Sequence, residues 1–484
     1  MDSVFVSLAE ATGASLDQLK LIFCLILSYP LGSVFIRVPS PSLKHAFNIV
    51  VALFYLIYML HLGTGTLQLL VSSLGTYFIA ANVKGPNMPW IVFTFVMGHL
   101  TINHVIRALF ELSYETFEIT GPQMVLTMKL TTYAWNVWDG RRQVDELDKW
   151  QKEKRVVQAP TILEFLGYVS YFPGILVGPY LEFADYMSLV EGTIFKSVKA
   201  DDLKDSGRLV PKGRKRVAYR KLVVGLVYLG IFVVFGGQYN YSNAVQDWFS
   251  DYNFFYSASG GTRWDGAANV QIATIEFAPN MKVLLDSWNM KTNVWLRECV
   301  YKRVTPKGKK PGFRSSMLTF ATSAFWHGIA GGYYLAFILG GFVQTIGRLC
   351  RSNIRPLFLP ATYVATRGGP EPPLTLAKQA YDITGTIFTV VILNFMAAPF
   401  MLLSIKDSLI GWSHLEYYGL WMVLAAFAFF YGPGTGILKK MQAERVNKAG
   451  GPAKVNVTST TPGPSQVLLL DVADGVAKKV EKAD

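Results

Sequence analysis

Long apolar segments dominate this 484-residue chain and constrain its fold more than any other feature. Hydrophobic residues make up 51% of the sequence, charged residues only 16%, and the mean hydropathy is +0.29. Charge this scarce cannot coat a soluble globule of this size, and about 20 helical residues cross the hydrocarbon core of a bilayer. We therefore predict an all-α, polytopic membrane protein with about ten or eleven transmembrane helices. The candidate spans lie near residues 19–37, 44–61, 64–82, 89–109, 122–138, 219–236, 268–287, 315–330, 331–349, 380–404 and 411–431.

The segment 160–190 is apolar but unsuited to a simple crossing. It contains Pro173, Gly174, Gly178 and Pro179, and it is too short for two complete spans. Irregular backbone is tolerated at membrane depth only where protein or a cavity satisfies its polar groups. We predict a re-entrant or broken helical hairpin that lines an intramembrane chamber.

Positive charge is concentrated in loops between the apolar segments. The net charge is +13 and the pI is about 9.4, values that by themselves would also suit a nucleic-acid-binding protein. The basic residues lie mainly at 141–155, 196–221 and 302–314, next to predicted spans. The positive-inside rule places such segments in the cytosol, and it places the aromatic loop 238–265 in the lumen. This distribution indicates a bilayer partner and no nucleic acid.

Composition changes again near the end of the chain. After about residue 437 the sequence continues with Lys439-Lys440 and then with Gly, Pro, Ser and Thr, without a sustained apolar face. Such segments cannot bury enough apolar surface to fold alone. We predict a membrane-embedded domain over 1–437 and a polar, disordered cytosolic tail over 438–484.

His327 lies inside an apolar stretch that predicts a membrane-embedded helix. It recurs at a spacing of four with Thr319 and Ser323, so the three side chains share one helical face. At 1.5 Å per residue, His327 lies ~18 Å beyond the last basic cluster, deep in the bilayer. Ionisable groups at that depth are functional candidates, although a histidine can also be buried merely to bond a neighbouring helix.

Trp288-Asn289 is a second candidate, at the junction between an apolar run and a basic segment. Alone, Asn289 would most often be a helix cap or an interfacial residue. The pair is followed further along the chain by Trp326-His327-Gly328, with aromatic residues around both motifs. Together they resemble the membrane-bound O-acyltransferase family, and most closely its lysophospholipid acyltransferase branch of the broad-specificity fungal type.

Two upstream blocks extend the resemblance. The segment 120–129, which leads to Trp138-Asp139-Gly140, resembles the family's first conserved block, and the segment 168–180 resembles its second. The four blocks occur in the family's order between about residues 120 and 334. One departure is Gly331-Gly332-Tyr333-Tyr334, where relatives commonly carry Pro-Gly-Tyr-Tyr.

The resemblance implies an acyl-CoA-dependent transferase of the endoplasmic reticulum membrane that acts in phospholipid synthesis and remodelling. Acyl-CoA and a lysophospholipid are its substrates, with the sn-2 hydroxyl as acceptor and no permanently bound cofactor. His327 is the expected base, because a desolvated imidazole stays neutral and accepts a proton. Asn289 is expected to hold or polarise the thioester carbonyl, and the family treats the matching asparagine as catalytic.

Further residues are predicted to contact substrate. Arg297 and Tyr301, one helical turn apart near Asn289, and Lys302 in the basic loop are placed to meet acyl-CoA at the cytosolic mouth. Three aromatic residues complete the predicted substrate-binding set, the last two as chamber walls: Trp288, Trp326 and Tyr333.

Features of the sequence also bear on other possible functions. The sequence shows no serine or cysteine nucleophile with a paired base and no grouping of metal ligands, which favours direct transfer and predicts no metal. A relative that acylates a neutral lipid or a protein is the nearest alternative. A transporter is the next, because broken helices and a polar helix face also suit that class. Headgroup and acyl-chain specificity and the oligomeric state stay open.

Overall fold

The computed structural model describes residues 2–12, 15–110, 117–195, 214–235, 269–306, 309, 311–361, 363 and 372–449. Every regular element in these ranges is a helix, which confirms the all-α prediction. The chain divides into two compact units, Met1–Gly236 and Gly237–Asp484. The predicted luminal loop 238–265 lies outside the described residues, as does the tail after residue 449.

The first unit is organised around one almost fully buried helix. That helix, α6, packs against α4, α5 and α8, and it carries both apolar and polar side chains into the core. The helices of this unit are α1 (Asp2–Thr12), α2 (Leu16–Phe35), α3 (Pro41–Leu53, continued by a π-helical turn Phe54–Met59), α4 (Gly63–Asn82), α5 (Met88–Leu109), α6 (Thr120–Gly140), α7 (Lys149–Lys154), α8 (Ile162–Val169), α9 (Phe183–Glu191) and α10 (Arg214–Phe235), with 3-10 turns at Val144–Glu146 and Thr193–Phe195.

The predicted break within 160–190 is confirmed. Thr161 and Glu164 form a reciprocal capping box that starts α8, and the chain leaves the helix after Val169. Non-helical backbone, including a cis Gly178–Pro179 peptide, then leads to α9. The segment lines an apolar cavity of about 240 Å³ within the first unit. Its depth in a bilayer stays a prediction.

The second unit is built on three long helices, since α15 packs against both α14 and α16. Its helices are α11 (Ile272–Glu276), α12 (Met281–Ser287), α13 (Met290–Trp295, continued by a π-helical turn Leu296–Tyr301), α14 (Phe313–His327), α15 (Gly331–Asn353), α16 (Leu376–Leu402), α17 (Ile405–His414), α18 (Tyr418–Tyr431) and α19 (Gly434–Lys448), with a 3-10 turn at Arg355–Leu357.

Gly332 permits a close approach between the start of α15 and the end of α16. Gly332 N donates to Leu403 O at 2.7 Å, and a Cβ on Gly332 would lie 2.1 Å from Pro399 O. We expect Gly332→Ala to destabilise the protein by about 1–3 kcal/mol, because backbone cannot yield as a side chain can. The measurement is the apparent melting temperature in detergent. Gly347→Ala is the control: it meets nothing within 4 Å, so it should match or exceed the wild-type value.

Five described helices are long and apolar enough to cross a membrane: Leu16–Phe35, Pro41–Met59, Met88–Leu109, Gly331–Leu357 and Leu376–Leu402. A sixth arises if Tyr418–Tyr431 and Gly434–Lys448, bent by 61°, form one broken span. The predicted number of ten or eleven is thus not confirmed. The segments 64–82 and 122–138 are helical, as α4 and α6, but their Ser, Thr, Gly and Lys content lowers their hydropathy.

Two predicted spans are wrong as continuous helices. The segment 268–287 breaks between α11 and α12, where Pro279 precedes Asn280, whose side chain caps α12. The segment 411–431 breaks between α17 and α18, where Glu416 and Tyr417 have positive φ. The predicted span 315–330 is also shorter, because α14 ends at His327.

The predicted tail begins as an ordered helix. α19 continues to Lys448, and Arg445 donates to the carbonyl oxygens of Pro356 and Leu359 at 3.0 and 3.1 Å. The prediction of disorder is therefore wrong for 438–448, where Lys, Gln, Glu and Arg favour helix. The domain boundary itself stays a prediction.

Candidate active site

His327 is the last residue of α14. The helix ends because Gly328 adopts φ 139°, a conformation that L side chains rarely take, and α15 begins shortly afterwards at Gly331. Ser323 on the same helix is buried, whereas Leu318 and Phe325 are exposed. The polar face predicted from the sequence is thus more buried than the apolar face, since Ser323 is buried and Thr319 and His327 are partly buried, an arrangement suited to lipid.

Aromatic rings enclose the His327 imidazole. Its ring centroid lies 4.7 Å from that of Trp326, 5.5 Å from Tyr333, 5.1 Å from Phe337 and 5.0 Å from Phe400. Phe337 stacks on the imidazole at 25°, and Phe400 meets it edge-on at 84°. Such contacts fix the plane of the imidazole ring.

Asn289 occupies the N-cap position of α13, but its side chain makes no capping bond. Its Oδ1 instead accepts a hydrogen bond from Asn269 Nδ2 at 3.0 Å. The interpretation of Asn289 as an ordinary helix cap therefore does not fit the geometry. This bond occupies the acceptor oxygen of the Asn289 amide.

Asn269 makes three hydrogen bonds to residues at the start of α13. Besides donating to Asn289, it accepts from Met290 N on its backbone oxygen at 2.8 Å and from Lys291 N on Oδ1 at 2.9 Å. Sequence reasoning missed Asn269, because it lies far from Asn289 in the chain and inside a segment predicted as a continuous span.

Two indoles connect the candidate residues. Trp295, the last residue of α13, lies with its ring centroid 5.6 Å from that of Trp326, the neighbour of His327. Both tryptophans are buried. Asn289 directly precedes α13, a helix of six residues that is about 9 Å long. One short helix and one aromatic contact therefore lead from Asn289 to the ring cluster around His327.

The residues predicted to contact acyl-CoA are more buried than expected. Arg297 and Tyr301 are only 6% and 4% exposed, and they lie in a π-helical turn rather than one α-helical turn apart. Glu298 is buried between two cations: its carboxylate lies 2.9 Å from Arg297 Nε and 2.7 Å from Lys302 Nζ. Sequence reasoning missed Glu298, whose single negative charge is shared between the two cations. Their contact with substrate stays a prediction.

The aromatic members of the predicted substrate-binding set have different surroundings. Trp326 and Tyr333 contact His327, as expected of chamber walls, whereas the Trp288 side chain is 58% exposed. Phe337 and Phe400 were not predicted, because their approach to His327 depends on how α15 and α16 pack against α14.

Comparisons with known proteins agree on one family. The model of the membrane-bound O-acyltransferase family matches residues 106–239 and 229–367. The chain is 36% identical to the lysophospholipid acyltransferase of Schizosaccharomyces pombe over 92% of both chains. It is 34% identical to the lysophospholipid acyltransferase of Saccharomyces cerevisiae over 90% of this chain and 77% of the yeast protein. Human membrane-bound glycerophospholipid O-acyltransferase 2 is 27% identical, covering 85% of this chain and 84% of its own.

Proposed function

Since the chain belongs to the membrane-bound O-acyltransferase family, we propose that it transfers a fatty acyl chain to the hydroxyl of a lysophospholipid. Two fungal relatives align with nearly the whole chain, and their name, lysophospholipid acyltransferase, supports a lysophospholipid substrate. The observation that carries the proposal is the His327 imidazole among aromatic rings, which connect through Trp326 and Trp295 to α13, the helix that Asn289 precedes.

We also propose an acyl donor, an acceptor hydroxyl and a cellular membrane for this reaction. Acyl-CoA is the donor, the sn-2 hydroxyl is the acceptor, and the protein acts in phospholipid synthesis and remodelling in the endoplasmic reticulum membrane. The basic segment 302–314 suits a cytosolic face where the CoA phosphates remain in water while the acyl chain enters the membrane.

The proposed chemistry is a direct transfer between the two bound substrates. His327 accepts the proton of the lysophospholipid hydroxyl, and that oxygen attacks the thioester carbonyl carbon. Asn289 Nδ2 donates to the oxyanion of the tetrahedral intermediate. When the carbon–sulfur bond breaks, CoA leaves as a thiolate and takes the proton from the imidazolium. The ring cluster excludes water, which would otherwise hydrolyse the thioester.

An assay of purified protein tests the function. Acyl-CoA is supplied with a panel of lysophospholipids that differ in headgroup, and free thiol and product mass are followed together. We expect thiol release that depends on lysophospholipid and yields the corresponding diacyl product. Acylation of a neutral lipid or a peptide instead, with no diacyl phospholipid formed, would overturn the proposed substrate.

Asn269 is expected to act as a positioning residue. Asn269→Ala removes the bond to Asn289 Oδ1 and the contact with Lys291 N, so turnover should fall by ~10–100-fold while KM for acyl-CoA changes little. Asn293→Ala is the matched control, because this neighbouring asparagine bonds Asp286 at 2.9 Å instead. Equal losses in both variants would show that the effect is only structural.

A further inference from the structure

The cavity of about 240 Å³ in the first unit has an apolar inner surface. Its walls come from α3, α4, α6, α8 and the residues that follow α8. The hydroxyls of Thr66 and Ser73, which line it, donate to carbonyl oxygens of their own helix at 2.7 and 2.8 Å. These hydroxyls therefore offer no free hydrogen to a ligand, and a surface of this kind favours hydrocarbon over water.

The cavity opens sideways. Leu53 and Leu70, two of its lining residues, are 41% and 40% exposed. Leu53 lies in Pro41–Met59, a helix long and apolar enough to cross a membrane. Exposed leucines on such a helix face lipid in a bilayer, so an aliphatic chain can enter through this side.

A buried lysine lies in the wall of the cavity. Lys129 is 2% exposed, and its Nζ donates to Tyr168 O at 2.6 Å and to Val169 O at 3.1 Å. An ammonium group has three N–H donors; two are used by these carbonyls, and Nζ also lies 4.8 Å from the centroid of the Tyr168 ring, where a carboxylate could compete for the third. Within the described residues no carboxylate lies within ion-pair distance of Lys129. Burial without a counter-charge disfavours the charged form of a lysine, and a bound anion beside Nζ would favour it.

We propose that this cavity binds a fatty acid, with the carboxylate at Lys129 and the aliphatic chain extending toward the opening between Leu53 and Leu70. The volume is below the 300–1,000 Å³ typical of small-molecule sites, so it accommodates only part of one aliphatic chain, and the rest of the chain would extend out past Leu53 and Leu70. Fatty acids are released when phospholipids lose an acyl chain, the same class of reaction that generates lysophospholipids. The site lies within the first unit and does not depend on the proposed reaction.

The test measures binding of radiolabelled palmitate to the full-length protein in phosphatidylcholine nanodiscs, with hexadecan-1-ol as the uncharged competitor. We expect palmitate to bind and hexadecan-1-ol to displace it only weakly. Lys129→Met should weaken palmitate binding by about 10- to 100-fold, because it removes a charged donor while keeping the length of the side chain. Lys44→Met is the control, since Lys44 donates to Val190 O at 2.7 Å and does not line the cavity.

A second variant guards against misfolding of Lys129→Met. Ala52→Leu leaves the lysine in place but fills part of the cavity, and it too should weaken binding. A photoreactive palmitate should label peptides of α3, α4, α6 or α8. Unchanged palmitate affinity in Lys129→Met or Ala52→Leu, or equal displacement by hexadecan-1-ol, would overturn the proposal, as would labelling confined to the second unit. None of these readouts requires acyltransferase activity, so failure here leaves the proposed function standing.

Discussion

His327→Ala protein is expected to fold and insert normally but to lose its acyltransferase turnover. The imidazole is the proposed base, and the loss of a general base lowers rates by ~10²–10⁴-fold. The aromatic rings of Phe337 and Phe400 remain in the variant and keep the site apolar, so no other group takes over the proton. Initial rates at saturating concentrations of both substrates provide the measurement, normalised to folded protein.

His414→Ala is the matched control for this variant. His414 is also the last residue of a helix in the second unit, but it belongs to α17 rather than to the ring cluster. It should keep the wild-type rate. A His327→Ala protein with the wild-type rate would remove the histidine from the mechanism, and equal losses in both variants would point to a general effect on the fold.

Asn289 variants are expected to have the second largest effect. Asn289→Ala should lower turnover by ~10²–10³-fold, the usual result of removing one oxyanion donor. Asn289→Asp is the sharper test. Its carboxylate still accepts the hydrogen bond from Asn269 Nδ2, so the local structure is kept while the Nδ2 donor is lost. Repulsion of the developing negative charge adds to the loss.

Rates for both variants are compared at saturating acyl-CoA and neutral pH, with the melting temperature as a control for folding. The aspartate variant should be as inactive as the alanine variant while melting closer to the wild type. Near-normal turnover of Asn289→Asp would exclude the oxyanion role and leave Asn289 as a structural residue at the start of α13.

Local patterns predicted the environment of His327 well. The spacing of four that links His327 with Ser323 is set by helix geometry, and the structure buries Ser323 fully and His327 partly. The break in 160–190 was equally readable, because two prolines and two glycines fall close together there and disfavour a continuous helix. Contacts between distant segments were not readable: Phe400 reaches His327, and Asn269 reaches Asn289, only through tertiary packing.

Span prediction failed where hydropathy and backbone geometry diverge. Pro279 was visible in the sequence, but the apolar residues around it outweighed its effect on the helix in the prediction. Glu416 and Tyr417 gave no comparable signal, because non-glycine residues rarely take positive φ. α6 shows the opposite problem. Its polar side chains lower its hydropathy, although neighbouring protein groups surround them in the folded chain.

The most direct test of the account is the stoichiometry of transfer by the purified protein. With acyl-labelled acyl-CoA and a lysophospholipid, free CoA thiol and labelled diacyl phospholipid should appear in equal amounts, only when both substrates are present, and neither should form in the His327→Ala variant. Thiol release without diacyl phospholipid, or label held covalently on the protein when the lysophospholipid is omitted, would contradict direct transfer through His327.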